Sequence, residues 1–242
     1  MQLVLGPLIM EVIRIPAGPF LMGCDGVDED TYDDEKPMHE VYLPQYFIGK
    51  YPVTVSQYAL FLAWVRFDLQ PAIPKGRRRL PATGVNWHDA REFCQWAGRV
   101  TGQIVRLPTE AEREKAARGT DGRLWPWGNT TVRKLPARAA LPNCPPSRVT
   151  VVPVGSYSPS GDSPYGCADM SGNVWEWTHS LYRPYPYHAD DGREKEGNYG
   201  MRVLRGGSFR SRYTRARCTS RLRQSPENRF DTDLGFRVCV TA

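Results

Sequence analysis

The side chains able to do redox, nucleophilic or metal chemistry are few and scattered. Six cysteines stand at Cys24, Cys94, Cys144, Cys167, Cys218 and Cys239, with no Cys-x-x-Cys pair, so a zinc ribbon or a thioredoxin-like centre has no support. Free buried thiols are the expectation for a cytosolic chain. The four histidines, His39, His88, His179 and His188, show neither His-x-x-x-His nor His-x-Glu spacing. An iron site of two histidines and a carboxylate would have to be assembled by tertiary contact. Carboxylates concentrate in residues 25–35, where seven acids and no base make a solvated or ion-binding loop. The opposite pole is 202–237, with ten arginines against Glu227, Asp231 and Asp233.

The formal net charge of +6 is therefore local. Arginine outnumbers lysine 26 to 6, and a planar guanidinium braces irregular loops better than an ammonium does. Internal bracing is the leading reading of this charge, ahead of an anion or nucleic-acid site. Arg77, Arg78 and Arg79 lie in a Pro- and Gly-rich stretch, 70–84, that reads as a surface loop. Glu11 and Arg14 interrupt the N-terminal apolar stretch, and no window approaches the roughly 20 apolar residues of a membrane span. That stretch also lacks the basic start and small-residue cleavage site of a secretory signal, so a complete chain of this sequence is expected in the cytoplasm.

The elements that must position these residues are short. With 22 Gly and 21 Pro among 242 residues, the composition excludes a helical bundle or solenoid, and the Trp, Tyr and Phe content supplies apolar area to pack long connections. Ile13 to Met22, around Pro16 and Gly18, and Val41 to Ile48 read as β-rich runs. Thr54 opens a run with Tyr58, Phe61, Leu62 and Val65 at helical spacing. A second helix from about Trp87 puts Ala90, Phe93, Cys94 and Ala97 on one face and ends at Gly98 to Gly102. Thr109 and Glu112 have capping-box spacing for a short third helix closed by Gly119. Beyond it short strands and ordered loops are expected, which gives one α+β domain over residues 1–242 with two main helices.

Eight blocks then carry a resemblance. They are Pro16-Ala17-Gly18 with Met22-Gly23, Pro52-Val53-Thr54, Val85-Asn86-Trp87 with Asp89-Ala90, Arg106 to Glu112, Trp125 to Asn129, Gly172 to Trp177, Arg205-Gly206-Gly207-Ser208 and Gly235-Phe236-Arg237. In this order, from about Ile13 to Val240, the chain resembles the formylglycine-generating enzyme (sulfatase-modifying factor) family, whose domain is an elaborated C-type-lectin-like fold. The resemblance implies such a fold here, rich in irregular loops, but not one activity, because the scaffold carries copper oxidases, sulfoxide synthases and pure ligand binders.

The family's copper-binding cysteines follow its Arg-Gly-Gly-Ser block, and Phe209 to Arg217 contains none. Soft Cu(I) needs those thiolates, so neither copper nor iron is expected and the reading leans away from an enzyme. A metal-dependent oxidoreductase of the formylglycine-generating or sulfoxide-synthase kind stays as the alternative. Cys218 resembles a structural cysteine whose family partner would fall near Ala117. A structural Ca²⁺ site is implied at Asp169, Gly172, Val174 and Glu176, all hard oxygen donors, against pairing of Glu176 with an arginine. A second calcium site, from Asn143, lacks an acid at Pro146. The family's disulfide would join Cys94 to Cys239, but Cys239 stands one residue late and is expected to be a free thiol.

Some members of this lectin-like branch are variable proteins of diversity-generating retroelements. By that resemblance the exposed ligand-binding positions are Phe209, Arg210, Ser211, Arg212, Tyr213, Thr214, Leu222, Ser225, Phe230, Asp231 and Thr232. Arg205, Arg217, Arg221, Arg229 and Arg237 would hold their frame. Aromatic and short polar side chains on a rigid base suit a protein or other macromolecular ligand. An ordinary surface loop is the competing reading.

Overall fold

A computed structural model describes residues 1–26, 31–65, 73–130 and 150–241. Asn143, Cys144 and Pro146 lie outside the described residues. In chain order the strands are β1 (Gln2–Leu5), β2 (Leu8–Ile15), β3 (Gly18–Met22), β4 (His39–Leu43), β5 (Tyr46–Gly49), β6 (Val105–Arg106), β7 (Trp175–Leu181), β8 (Arg202–Arg205), β9 (Arg221–Gln224), β10 (Leu234–Phe236) and β11 (Cys239–Thr241). The helices are α1 (Val55–Val65), α2 (Trp87–Thr101) and α3 (Glu110–Arg118). One sheet runs β1-β2-β5-β11-β6, a second β10-β7-β8-β9, and β3 pairs with β4 alone. The α+β architecture stands as expected.

Local chemistry sets the helix ends. Asn86 accepts from the Asp89 N–H at 2.8 Å, and Gly102, at φ 66°, closes α2 with its N–H on the Gly98 carbonyl at 2.9 Å. Thr109 and Glu112 form the reciprocal capping box at 3.1 and 2.8 Å. The α2 face is buried as read, with Trp87 and Trp96 added to it. The stripe of α1 differs: Phe61 is buried and Tyr58, Leu60 and Leu62 pack against the core, but Val65 is 41% exposed. Val41 to Ile48 is two strands in different sheets, because Pro44 interrupts the ladder between them.

Two clusters flank β11. Val238 and Val240 face the core of Phe93, Trp96, Trp177 and Phe236, whereas Cys239 faces the one holding Tyr46, Ala111, Ala117 and Cys218. Cys94 belongs to the first cluster, so the one-residue shift turns Cys239 away from it, and both thiols are free. Ala117 and Cys218 share the second cluster, where the family pattern places their counterparts.

The third helix is the surprise of the packing. All nine residues of Glu-Ala-Glu-Arg-Glu-Lys-Ala-Ala-Arg are buried. Its charges are met by groups outside the helix: Lys115 Nζ donates to the Pro16 and Gly18 carbonyls at 2.9 and 2.8 Å, and Arg106 grips Glu112 through two bonds of 2.7 Å.

Candidate binding face

The segment from Gly206 to Asp233 starts with a backbone that only glycine permits. Gly206 and Gly207 have φ 97° and 73°, and a Cβ on Gly207 would lie 2.8 Å from the Arg215 carbonyl oxygen and 2.9 Å from the Ala216 Cα. The chain then folds back on itself. Ser208 Oγ donates to Asp233 Oδ2 at 2.5 Å, the Phe209 N–H reaches the Asn173 carbonyl, and Gln224 and Asn228 donate to Asp231 at 3.2 and 2.6 Å. These bonds tie 208–209 to the starts of β7 and β10, and Asp231 to the end of β9, so the two loops run across the strand ends of the sheet.

Beneath the loops lies a lattice of buried ion pairs. Glu110 accepts from Arg221 Nε at 2.6 Å and Nη2 at 3.0 Å, from Arg205 at 3.3 Å and from the Tyr185 hydroxyl at 3.2 Å. Glu114 takes Arg205, Arg118 and the Gly23 N–H; Glu35 takes Arg217 at 2.8 Å and the Thr219 hydroxyl at 2.5 Å. Glu176 Oε2 accepts from Arg113 Nε at 2.7 Å and Arg237 Nε at 2.6 Å, and its Oε1 from Arg237 Nη2 at 2.7 Å. Burial pushes the Glu110 and Glu176 carboxyls up, but the neighbouring guanidiniums outweigh it and hold both below the ordinary carboxylate value.

The side chains above this frame divide sharply. Arg210, Arg212, Phe230 and Thr232 are exposed, and Phe230 is 88% accessible. Tyr213, Ser211, Ser225 and Asp231 are half-buried, the last three with internal hydrogen bonds. Phe209 and Thr214 are buried at 7% and 8%, and Leu222 packs against the first core cluster. An aromatic ring and a β-branched residue next to a glycine-pinned turn fill core space, which removes Phe209 and Thr214 from the exposed set. Of the expected frame arginines, Arg205, Arg217, Arg221 and Arg237 are buried in ion pairs. Arg229 is the exception: it is 57% exposed and 3.5 Å from Asp89. Tyr32, Tyr182 and Arg223 escaped the sequence reading; Arg215 lies 3.4 Å over the Tyr32 ring, and Arg221 and Arg223 lie 4.7 and 5.2 Å over Tyr182.

The sequence pattern of the Sulfatase-modifying factor enzyme 1-like domain matches residues 7–242. The chain belongs to this family. It is 31% identical to the inactive C-alpha-formylglycine-generating enzyme 2 of Mus musculus, over 96% of this chain and 86% of that protein. It is 32% identical to the hercynine oxygenase of Mycolicibacterium smegmatis over 81% of this chain, which spans 54% of that protein. Treponema denticola variable protein 1 has the same fold, with a TM-score of 0.77, 24% identity, and coverage of 100% of this chain and 99% of that one. The elaborated C-type-lectin-like fold is thereby established.

In this sulfatase-modifying-factor domain the two carboxylates expected to hold calcium are engaged by other groups. Both Glu176 oxygens face guanidiniums, and Asp169 Oδ2 accepts from the Gly155 N–H at 2.7 Å, with its carboxyl pushed up to about 6 by burial. Two cations against Glu176 repel a third, so the Asp169, Gly172, Val174 and Glu176 groups as placed do not fit a calcium shell. Adding millimolar Ca²⁺ or a chelator should leave the thermal midpoint unchanged to within about 1 °C, whereas bound calcium would raise it by several degrees. Scanning calorimetry decides between them.

The redox candidates are similarly placed. Cys218 is buried and its thiol is pushed up to about 12 by burial, the state of an inert packing residue. His39 bonds the Pro37 carbonyl and the Tyr187 N–H, His88 pairs with Glu227, His179 bonds the Glu194 carbonyl, and His188 is exposed. Among the described residues no three His, Cys, Asp or Glu side chains gather as a metal site, and no helix is long and apolar enough to cross a membrane.

Proposed function

We propose that the domain is a non-catalytic ligand-binding module whose partner meets Arg210, Arg212, Tyr213, Phe230, Thr232 and their neighbours. One observation carries this reading. The backbone of 206–233 is locked from below by Arg205, Arg217 and Arg221 in buried ion pairs, while its exposed positions make few contacts of their own. Such side chains can change without cost to the frame, as an adaptable binding surface requires. The fold shared with Treponema denticola variable protein 1 supports the finer version, a variable protein of a diversity-generating retroelement with its variable positions between Arg-Gly-Gly-Ser and Gly-Phe-Arg.

The similarity to hercynine oxygenase favours a second reading, a metal-dependent oxidoreductase. Oxygen consumption during aerobic incubation with copper or iron and a thiol donor would overturn the binding reading; none is expected. Sequencing the surroundings of the gene tests the finer version. A near-copy of the segment encoding 206–237, non-coding and differing only at adenines, is the expected result. A complete locus without one removes the retroelement and leaves an invariant binding module.

A further inference from the structure

The exposed arginines of this face contrast with the buried arginines of the frame beneath it. Arg205, Arg217 and Arg221 each touch a buried glutamate. Arg210, Arg212 and Arg223 are exposed and form no ion pair among the described residues. Asp34, Asp231 and Asp233 are acids nearby, and neutral donors engage each of them, from Tyr182, from Gln224 and Asn228, and from Ser208. A solvated cluster of like charge costs self-repulsion that an anionic partner relieves, and planar guanidiniums suit carboxylates in paired hydrogen bonds.

Two features decide what kind of anion fits. Single-stranded nucleic acid is held on a run of open aromatic faces, but Tyr32 is covered by Arg215 at 3.4 Å and Tyr182 lies under Arg221 and Arg223, which leaves Phe230 as a single open ring on this face. β9 is the edge strand of its sheet, and Arg223 is its exposed residue. An edge strand accepts an extended peptide through main-chain hydrogen bonds, with side-chain contacts adding specificity. The turn that carries Arg212 is tied to this strand, since Arg215 Nη1 reaches the Arg221 carbonyl at 3.4 Å.

We propose that the ligand is an acidic polypeptide segment that pairs with the β9 edge beside Arg223 and carries further carboxylates to Arg210 and Arg212 on the adjoining loop. The inference rests on the binding-module reading. The probe is a fluorescein-labelled peptide of alternating Glu and Val, followed by fluorescence anisotropy, with labelled oligothymidylate and an alternating Lys-Val peptide as comparisons. The Glu-Val peptide should bind, weaken in high salt, and weaken by about tenfold or more in R210S/R212S/R223S, about what the loss of three partly exposed ion pairs gives. Near-UV circular dichroism verifies that this variant is folded, and R210K/R212K/R223K, which keeps the charge, should retain most of the binding. Equal affinity of the wild type and the serine variant for the Glu-Val peptide overturns the proposal, as does no binding of that peptide. Oligothymidylate binding that is lost in the serine variant, with the peptide silent, also overturns the acidic-peptide assignment while leaving the binding module intact. Metal-dependent oxygen uptake would instead overturn the reading beneath it.

Discussion

Glu110→Ala should destabilise the protein by about 3–5 kcal/mol, the cost of leaving buried charges without their partner. Glu110 is inaccessible to solvent and is the only carboxylate bonded to Arg221 among the described residues; Arg205 shares it with Glu114. A domain is stable by only about 5–15 kcal/mol, so the loss is a large share of the whole. At roughly 2–4 °C per kcal/mol for a chain of this size, the thermal midpoint should fall by about 6–20 °C. Calorimetry of the purified variant measures the fall, and recovery mainly as insoluble protein is the same outcome in stronger form. A midpoint within about 2 °C of wild type would mean that the ion lattice is not what holds 206–233 in place.

The second large effect depends on pH. The Glu194 carboxyl is pushed up to about 7 by burial; the Ser180 and Tyr187 hydroxyls, at 2.5 and 2.8 Å, pull it down, and the charges of Glu110 and Glu112 push it up. Its Oε2 is buried without a hydrogen-bond partner. The folded state therefore holds a proton that the unfolded state has released, and stability falls as pH rises from the ordinary value of 4.5 through about 7. Each unit in that window is worth up to about 1.4 kcal/mol, or about 3 kcal/mol in all. Glu194→Gln removes the titration. Its stability relative to wild type should improve by about 2–3 kcal/mol between pH 5 and pH 8, measured by urea unfolding at each pH. A constant difference across that range would show that Glu194 ionises like a solvated side chain.

Much of the frame could be read from residue order. The caps at Asn86, Thr109, Gly102 and Gly119 are local signals, and they mark the ends of α2 and α3 correctly because each cap bonds within a few residues. The burial of α3 could not be read this way. Its pattern is that of a solvated helix, and apart from Arg118, four residues from Glu114, the ion-pair partners of Glu110, Arg113 and Glu114 lie 63 to 111 residues away in sequence. The division of Val41 to Ile48 had a signal: Val41 and Leu43 are buried, then Tyr46 and Ile48, so the buried positions change parity across Pro44. In the binding face the arginine excess was visible but not its partition. Nothing local distinguishes Arg221, locked on Glu110, from Arg223 two residues on, exposed and unpaired with any acid among the described residues; only the distant α3 does so. The resemblance to variable proteins places Phe209 among the contact residues, yet after the Gly206-Gly207 turn its ring is buried.

This face and its frame are energetically separate. Replacing Arg210, Arg212 and Phe230 by Ser and Thr232 by Ala in one variant tests it most directly, with the thermal midpoint as readout. Exposed positions away from caps and ion pairs change stability by about 0.5 kcal/mol or less each, or about 2 kcal/mol at most for the four, so the midpoint should stay within about 8 °C of wild type. A fall of about 10 °C, comparable with that expected for Glu110→Ala, would place these side chains in the structure of the loops and contradict the account.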